Sequence, residues 1–536
     1  MKPDRTDKLL ALGLAATAGL FAAGRIRWSM PPLEDAAMLL RYSQHVAAGH
    51  GIVWNLGAPP VDGATDFLFM MVVAGLAWLG LAVETACRVV TLSSHVTTVA
   101  LVYLAARQLY DAPRPAAAFS AAFLAAGPGV FYVEACFGTP FFALWACITW
   151  WFAATIAQGR DSVPLELGFG LSALALGLTR PEGVFLGVFL LAAVVAARGL
   201  QASRRSMATW AFAVGGLGGA YFLWRWHYFG HPLPNPFYRK GGGHLYLDSL
   251  RESVRNLVIM AMPFWPAFAL GLRSPASRRH VLRAAIPTGC FTAIWVLLSQ
   301  EMNFVWRFQY ALLPLLLIEW HAAVGGLAAE LKWPPAGGLP KATRKSLTLA
   351  LAVAAMSFLM LEQWGIAKHR GSRDGRYEVA RVLAPLAGRG YTIATTEAGT
   401  LPFYSGWNAI DAWGLNDSWI AHHGGITEEY LESSRPAVIV FHEYFSPLAP
   451  RARGGPWYQM VMTLKGYAEK RGYCLAACYG ESPFNTHYYY VRDDLPESRD
   501  LVARIRAVDY PWVDSGTRCL NFALFAPAPA CLATPH

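Results

Sequence analysis

The chain has 536 residues, 55% apolar and 15% charged, whereas an ordinary soluble protein carries about 25% charged residues. The apolar residues gather into runs of roughly 17 to 20, each long enough to cross a bilayer core of about 30 Å, which excludes a soluble enzyme. The net charge of +10 does not point to nucleic acid, because the basic residues sit in short loops between apolar runs, where membrane proteins collect them on the cytoplasmic side.

In chain order, Lys2, Arg5 and Lys8 precede an apolar stretch from Leu9 to about Gly24, either a signal peptide or an uncleaved first span. Both leave the segment after Arg27 outside. Three later basic clusters are predicted to be cytoplasmic: Arg198 with Arg204 and Arg205; Arg273, Arg278, Arg279 and Arg283; and Lys332, Lys341, Arg344 and Lys345, with two apolar runs between successive clusters. The alternate loops, near Thr179 to Gly183, Arg225 to Arg255 and Glu301 to Phe304, then face outward, as does everything after the last run at about Ser346 to Glu362. Arg107, Arg114 and Arg160 belong inside on the same rule. The run from Phe67 to Leu81 then cannot be a full crossing and is expected to lie as a re-entrant or interfacial helix. The sum is about 11 spans in residues 1–365, with an external loop at 28–66.

Residues 366–536 are of mixed composition. Short β-like runs at Tyr391 to Thr396, Ala437 to His442 and His487 to Arg492 alternate with helix-like stretches at Tyr377 to Leu386 and Leu501 to Val508, the pattern of a small α/β domain. Four of the eight cysteines, Cys474, Cys478, Cys519 and Cys531, fall here. An external domain in an oxidising compartment predicts one or two disulfides among them: 474 with 478 and 519 with 531 are nearest in sequence, and cross-pairing is equally allowed. Cys87, Cys136, Cys147 and Cys290 lie in or beside apolar runs and read as packing.

The external loop begins with adjacent carboxylates, Glu34 and Asp35, just beyond a span. Charge so close to hydrocarbon is costly and tends to mark function, and an acid beside an acid has a reason for a raised pKa, which suits a general base. The same pair also fits a solvated helix start. On sidedness Arg180, Arg225, Arg239, Lys240 and Arg307 lie at or near the outer face, where a phosphate could be held. Arg225, Arg239 and Lys240 equally fit interfacial snorkelling, and Arg180 an ion pair with Glu182. Gly215 to Gly219 lies in an apolar run and reads as helix packing. His422 and His423 lack partners at metal-ligand spacing. Asp411 and Asp417 could bind an acceptor or cap helices.

An ordered series of motifs gives this chain a resemblance to a known family. Glu34-Asp35, Arg41-Tyr42, Gly49-His50-Gly51-Ile52-Val53-Trp54-Asn55 and Gly63-Ala64-Thr65 are followed by Thr179-Arg180-Pro181-Glu182-Gly183 and Trp224-Arg225. Then come Pro234-Asn235-Pro236-Phe237-Tyr238, Arg307-Phe308, Glu397-Ala398-Gly399-Thr400 and Asp411 to Asp417. Spread over most of the chain, this succession resembles the GT-C superfamily of membrane glycosyltransferases that use polyprenyl-phosphate sugars, most of all the terminal arabinofuranosyltransferases using decaprenyl-phosphate arabinose. The chain departs from that family twice. Its second loop reads Cys136-Phe137-Gly138-Thr139-Pro140 without the family's glutamate, leaving Glu134 as the nearest substitute. Its first acidic position is Glu34 rather than aspartate, which makes Asp35 the safer base.

The resemblance implies a polytopic α-helical, GT-C-like membrane protein with a C-terminal extracytoplasmic α/β domain, in a bacterial inner membrane. It implies inverting transfer of a sugar, arabinofuranose by family, from a polyprenyl-phosphate donor to an envelope glycan or glycoprotein acceptor. Asp35, with Glu34 beside it, would take the acceptor proton. Arg180, Arg225, Arg239, Lys240 and Arg307 would hold the phosphate, and Arg41, Tyr42, His50, Trp54, Asn55, Glu182, Asn235 and Tyr238 would line the substrate site. No metal site is expected, and a divalent cation is left open as a cofactor. The rivals are a polyprenol-linked sugar flippase, which would need charge in mid-span and repeated halves, and a noncatalytic glycan-binding assembly protein.

Overall fold

The computed structural model describes residues 4–240, 245–300, 302–330, 375–443, 455–482, 485–508 and 520–521, with a few positions between 354 and 361. Up to residue 330 the chain is helical, and from 375 onward it is α/β. Four helices among the described residues are long and apolar enough to cross a membrane: Arg5–Arg25, Val83–Tyr110, Arg114–Ala135 and Thr139–Ala157. A fifth is added if the pair Leu247–Met260 and Met262–Gly271, bent by 70°, is one broken span. The expected 11 is therefore not reached on these criteria, for local reasons. Val163–Thr179 and Glu182–Arg198 have 17 residues each, the stretch 204–229 is interrupted by a π-helical turn at Ala211–Leu217, and Pro275–Ala293 contains Pro287 and three arginines. The last run, 346–362, lies largely outside the described residues. Phe67–Trp78 has 12 residues and so reaches about 18 Å, too short to cross.

The helices expose large apolar side chains to their surroundings, Leu12, Leu20, Phe212 and Leu223 being 63% to 77% exposed, which suits lipid contact and not water. Polar contacts mark the two ends of the bundle. At one, Asp7 accepts from Arg107 (3.1 Å) and Arg114 (3.0 Å), so the N-terminus and the 107–114 turn share a side, as the sidedness rule requires. At the other, Arg27 pairs with Glu134 (2.7 Å), and Arg88 donates to the carbonyls of Trp28 (3.0 Å) and Met30 (2.7 Å). The 28–66 loop contains the helix Glu34–Ala47 at this second end.

The C-terminal domain is a six-stranded sheet among the described residues: β1 (Thr392–Thr395), β2 (Asn408–Asp411), β3 (Val438–Glu443), β4 (Cys474–Ser482), β5 (Asn485–Val491) and β6 (Leu520–Asn521), in the order β2-β1-β3-β5-β4-β6. The first three are parallel and the rest antiparallel. Helices cover both faces, so β3 is apolar at successive positions: Val438 and Val440 pack on one side with Leu383 and Leu501, Ile439 and Phe441 on the other with Leu464. Cys474 is disulfide-bonded, but Cys478 is not its partner. Both lie on β4, where residues four apart stand about 13 Å from one another, beyond the ~7 Å reach of a disulfide. The remaining candidates, Cys519 and Cys531, lie outside the described residues.

A small core joins the two parts. Tyr42, Ile52, Trp54 and Met70 pack against Ala398 and Ala409 of the α/β domain, so the 28–66 loop is clamped between helices and sheet.

Candidate functional site

Helix Glu34–Ala47 starts with its two acids in the first turn, where the helix dipole favours negative charge. Successive helical positions point about 100° apart, and the two carboxylates part company. Asp35 faces a cavity of about 200 Å³ also lined by Tyr42, Asp66, Thr139, Arg180, Lys240 and Arg307. Glu34 faces the α/β domain. It accepts from the Gly399 and Thr400 backbone amides, the Thr400 hydroxyl (2.8 Å) and Arg376 (2.9 Å), capping the N-terminus of helix Thr400–Ser405. A Cβ on Gly399 would lie 2.0 Å from the Glu34 carbonyl oxygen, so this close approach requires glycine.

Asp35 Oδ2 accepts from Arg307 Nη2 at 2.5 Å, and its side chain is 24% exposed. Burial pushes this carboxyl up, but Arg307 and Lys240 outweigh it, leaving Asp35 below the usual carboxylate range. The raised pKa anticipated from two adjacent acids is thus reversed at Asp35, because Glu34 turns away and two cations turn in, whereas burial leaves Glu34 raised. Arg307 sits after a strained turn. Met302, Val305 and Trp306 all take positive φ, which a β-branched valine adopts only when its surroundings impose it. Here Asn303 bonds Gln300 (2.7 Å), Gln309 (2.9 Å) and the Phe308 amide (3.1 Å), and the Tyr132 hydroxyl holds the Val305 carbonyl. The guanidinium itself lies over the rings of Phe137 (4.5 Å) and Phe308 (5.1 Å).

Arg180 lies between Glu182 (3.0 Å) and Asp66 (3.4 Å) and over Phe308 (5.2 Å). Asp66, at the start of Phe67–Trp78, is raised by burial, partly offset by Arg180. Sequence reasoning did not single it out, although its place at the edge of an apolar run is the same signal that marked Asp35. Arg180, Lys240 and Arg307 line the cavity with Asp35 and Asp66, with Arg180 shared between Asp66 and Glu182 and Arg307 on an Asp35 oxygen, so the cavity brings together cations that an anion could engage.

Other expected residues lie elsewhere. Arg225 pairs with Asp62 and donates to the Pro232 carbonyl (3.3 Å). Arg239 lies over the Trp413 ring (4.7 Å) and donates to the Gly424 carbonyl (2.8 Å). Arg41, buried, donates to the carbonyls of Trp54 (2.8 Å), Pro402 (2.5 Å) and Trp407 (2.8 Å) and to Asn55 (3.3 Å). Asn55 pairs both ways with Ala409 on β2, and Trp54 donates to the same carbonyl (2.9 Å). Tyr42 reaches both regions, lining the cavity and donating to Asn416 (3.0 Å). Asn235 is buried between Asp62 and Ser418, Tyr238 packs on His231 and His422, and His50 is exposed. Glu134 is taken up by Arg27 through the backbone amide (2.9 Å) and guanidinium. Asp411 accepts three backbone amides of 413–416, and Asp417 caps helix Ser418–His422 through the Ile420 amide (3.0 Å), so both do what turn and cap residues do.

No curated protein matches this sequence closely enough to count as a relative. Residues 365–494 match a family described as a domain of unknown function, DUF8728. Among solved structures the chain is similar to ArnT from Cupriavidus metallidurans, in the apo state and bound to undecaprenyl phosphate, each with TM-score 0.57 and 15% identity, covering 90% of this chain and 97% of that one. It is also similar to the Archaeoglobus fulgidus oligosaccharyltransferase in the apo form, with TM-score 0.53 and 12% identity over 91% of this chain and 75% of that one. The chain therefore shares the fold of these proteins: a helical module with several helices of membrane-crossing length and apolarity, carrying a C-terminal α/β domain.

Proposed function

We propose that this protein is an inverting glycosyltransferase that takes a sugar from a polyprenyl-phosphate donor and passes it to a glycan or glycoprotein acceptor on the extracytoplasmic face of a bacterial inner membrane. The observation that carries the reading is the Asp35–Arg307 pair, 2.5 Å apart in a cavity that also presents Arg180 and Lys240. A carboxylate and convergent cations are what such a transfer needs. Asp35 removes the acceptor hydroxyl proton, the hydroxyl oxygen attacks the anomeric carbon, and the bond from that carbon to the phosphate oxygen breaks. The departing phosphate takes up the negative charge against Arg307, Arg180 and Lys240. The arginine fork matches phosphate oxygens. As the donor phosphate draws Arg307 toward itself, Asp35 loses the charge that depresses it and becomes a better base, so donor binding arms the acid–base group.

The solved ArnT complex with undecaprenyl phosphate supports a polyprenyl-phosphate donor in this fold, the sequence resemblance suggests arabinofuranose as the sugar, and the Cys474 disulfide suits an oxidising compartment. The decisive experiment incubates purified full-length protein with synthetic polyprenyl-phosphate sugars and envelope glycan acceptors, followed by mass spectrometry. Acceptor mass gain that depends on Asp35 supports the proposal. Donor movement across liposomes without mass gain would establish the flippase, and acceptor binding without either would establish the assembly protein.

A further inference from the structure

The α/β domain holds a second cluster that sugar transfer does not use. His442 on β3 stands directly opposite His487 on β5 in antiparallel register, with rings stacked at 4.3 Å and 14°. Glu397, just after β1, reaches both. Its Oε1 lies 3.4 Å from His442 Nδ1, and its Oε2 shares a hydrogen bond with His487 Nε2. The three ligand atoms lie within 4.8 Å of one another, on side chains 5% to 17% exposed. All three are anchored through backbone: His442 donates its amide to the Thr396 hydroxyl (2.9 Å), Glu397 its amide to the Thr395 hydroxyl (3.3 Å), and His487 sits in the sheet ladder.

We propose that His442, His487 and Glu397 bind a divalent transition-metal ion of the zinc class. Two imidazoles and one carboxylate are a donor set that zinc takes readily, leaving a fourth position for water. Around a tetrahedral ion with bonds of about 2.1 Å, neighbouring donors stand about 3.4 Å apart. The His442–Glu397 separation has that value, and it is long for a charge-assisted hydrogen bond, which favours about 2.7–2.9 Å. The ion would also brace the domain interface. Arg376 bridges Glu397 (2.8 Å) and Glu34 (2.9 Å), the outer-shell support that orients a metal-bound carboxylate, and Glu34 is the covalent neighbour of Asp35. This site is separate from the cavity, so it stands or falls independently of the transfer reaction.

The test is elemental analysis of full-length protein purified in detergent without chelator. About one zinc per chain is expected in the wild type and in Asp35→Asn, with loss in the His442→Ala/His487→Ala double variant. Because the double variant could fail to fold, wild-type protein is also stripped with chelator and titrated with zinc chloride. A saturable rise of the thermal midpoint with one-to-one stoichiometry is expected, unchanged in Asp35→Asn and absent in His487→Gln. Wild-type protein that carries no metal and shows no zinc-dependent shift would overturn the proposal and leave a metal-free His–Glu pair. Zinc retained by the double variant, or lost in Asp35→Asn, would also overturn it.

Discussion

Glu34 and Asp35 are consecutive residues of one helical turn with the same functional group, and their surroundings separate them completely. Asp35 opens onto a cavity where one arginine and one lysine hold it ionised. Glu34 accepts from two backbone amides, a hydroxyl and Arg376, all from the α/β domain, which direct it away from the cavity. The first carboxylate can exchange partners when an anion arrives, and the second cannot without undocking the α/β domain. An acidic pair at a membrane edge is thus a hinge between chemistry and assembly.

The sharpest way to break this contrast is a matched pair of amides. Asp35→Asn removes the base and is expected to lower kcat for sugar transfer by about 10²–10⁴-fold, with the thermal midpoint unchanged because the amide retains an acceptor for Arg307. Glu34→Gln should do the reverse. It leaves Arg376 without one of its buried partners, a loss of the order of 3 kcal/mol when a buried pair is broken, so the thermal midpoint falls while the folded fraction keeps most of its turnover. Activity retained by Asp35→Asn and lost by a well-folded Glu34→Gln would exchange the two roles.

A second effect, of about 10²–10³-fold, is expected at Arg307, which in the proposed transfer stabilises the leaving phosphate. The pH profile sharpens it. Asp35 works deprotonated, and its folded pKa lies below the usual carboxylate range, with Arg307 the leading cause opposing burial. The acid limb of kcat/KM in the wild type should therefore lie below the usual carboxylate range. Arg307→Gln removes the depressing charge while burial remains, so the limb moves upward and residual activity at pH 5 drops relative to pH 7.5. A limb that stays in place would show that Asp35 is not the titrating base.

The parts of this arrangement that were legible in the sequence are those set by local pattern. Apolar runs, basic clusters and charge at the outer edge of a run identified the helical module and brought forward Asp35, Arg180, Lys240 and Arg307, which converge. Partner choice was not legible, because Asp35 and Arg307 lie 272 residues apart and no periodicity encodes which arginine folds back onto which acid. Strands β2 and β4 were missed for a related reason. Asn408-Ala409-Ile410-Asp411 is too short to alternate, and Cys474-Leu475-Ala476-Ala477-Cys478 lacks the β-branched residues that usually mark strands. Each is a strand because its neighbours pair with it.

Arg225 and Arg239 give the smallest expected effect and the finest test of the division between cavity and frame. Both had the sidedness of phosphate ligands, yet each is engaged away from the cavity. Arg225 is bound to Asp62, which burial has already lifted to about 6 against the pull of Arg225. In Arg225→Gln that carboxyl can take up a proton instead of staying charged and unpaired, so the structure absorbs the change. Arg239 contributes a stack on Trp413 and one carbonyl contact, worth about 0.5–1 kcal/mol at a partly exposed site. Donor KM in Arg225→Gln and Arg239→Gln should stay within about threefold of wild type, since 1.4 kcal/mol is needed for a tenfold change, whereas Arg180→Gln should raise it by more. A tenfold or larger rise for Arg239→Gln would mean that Arg239 leaves the Trp413 ring and turns into the cavity beside its neighbour Lys240, making frame and cavity one site.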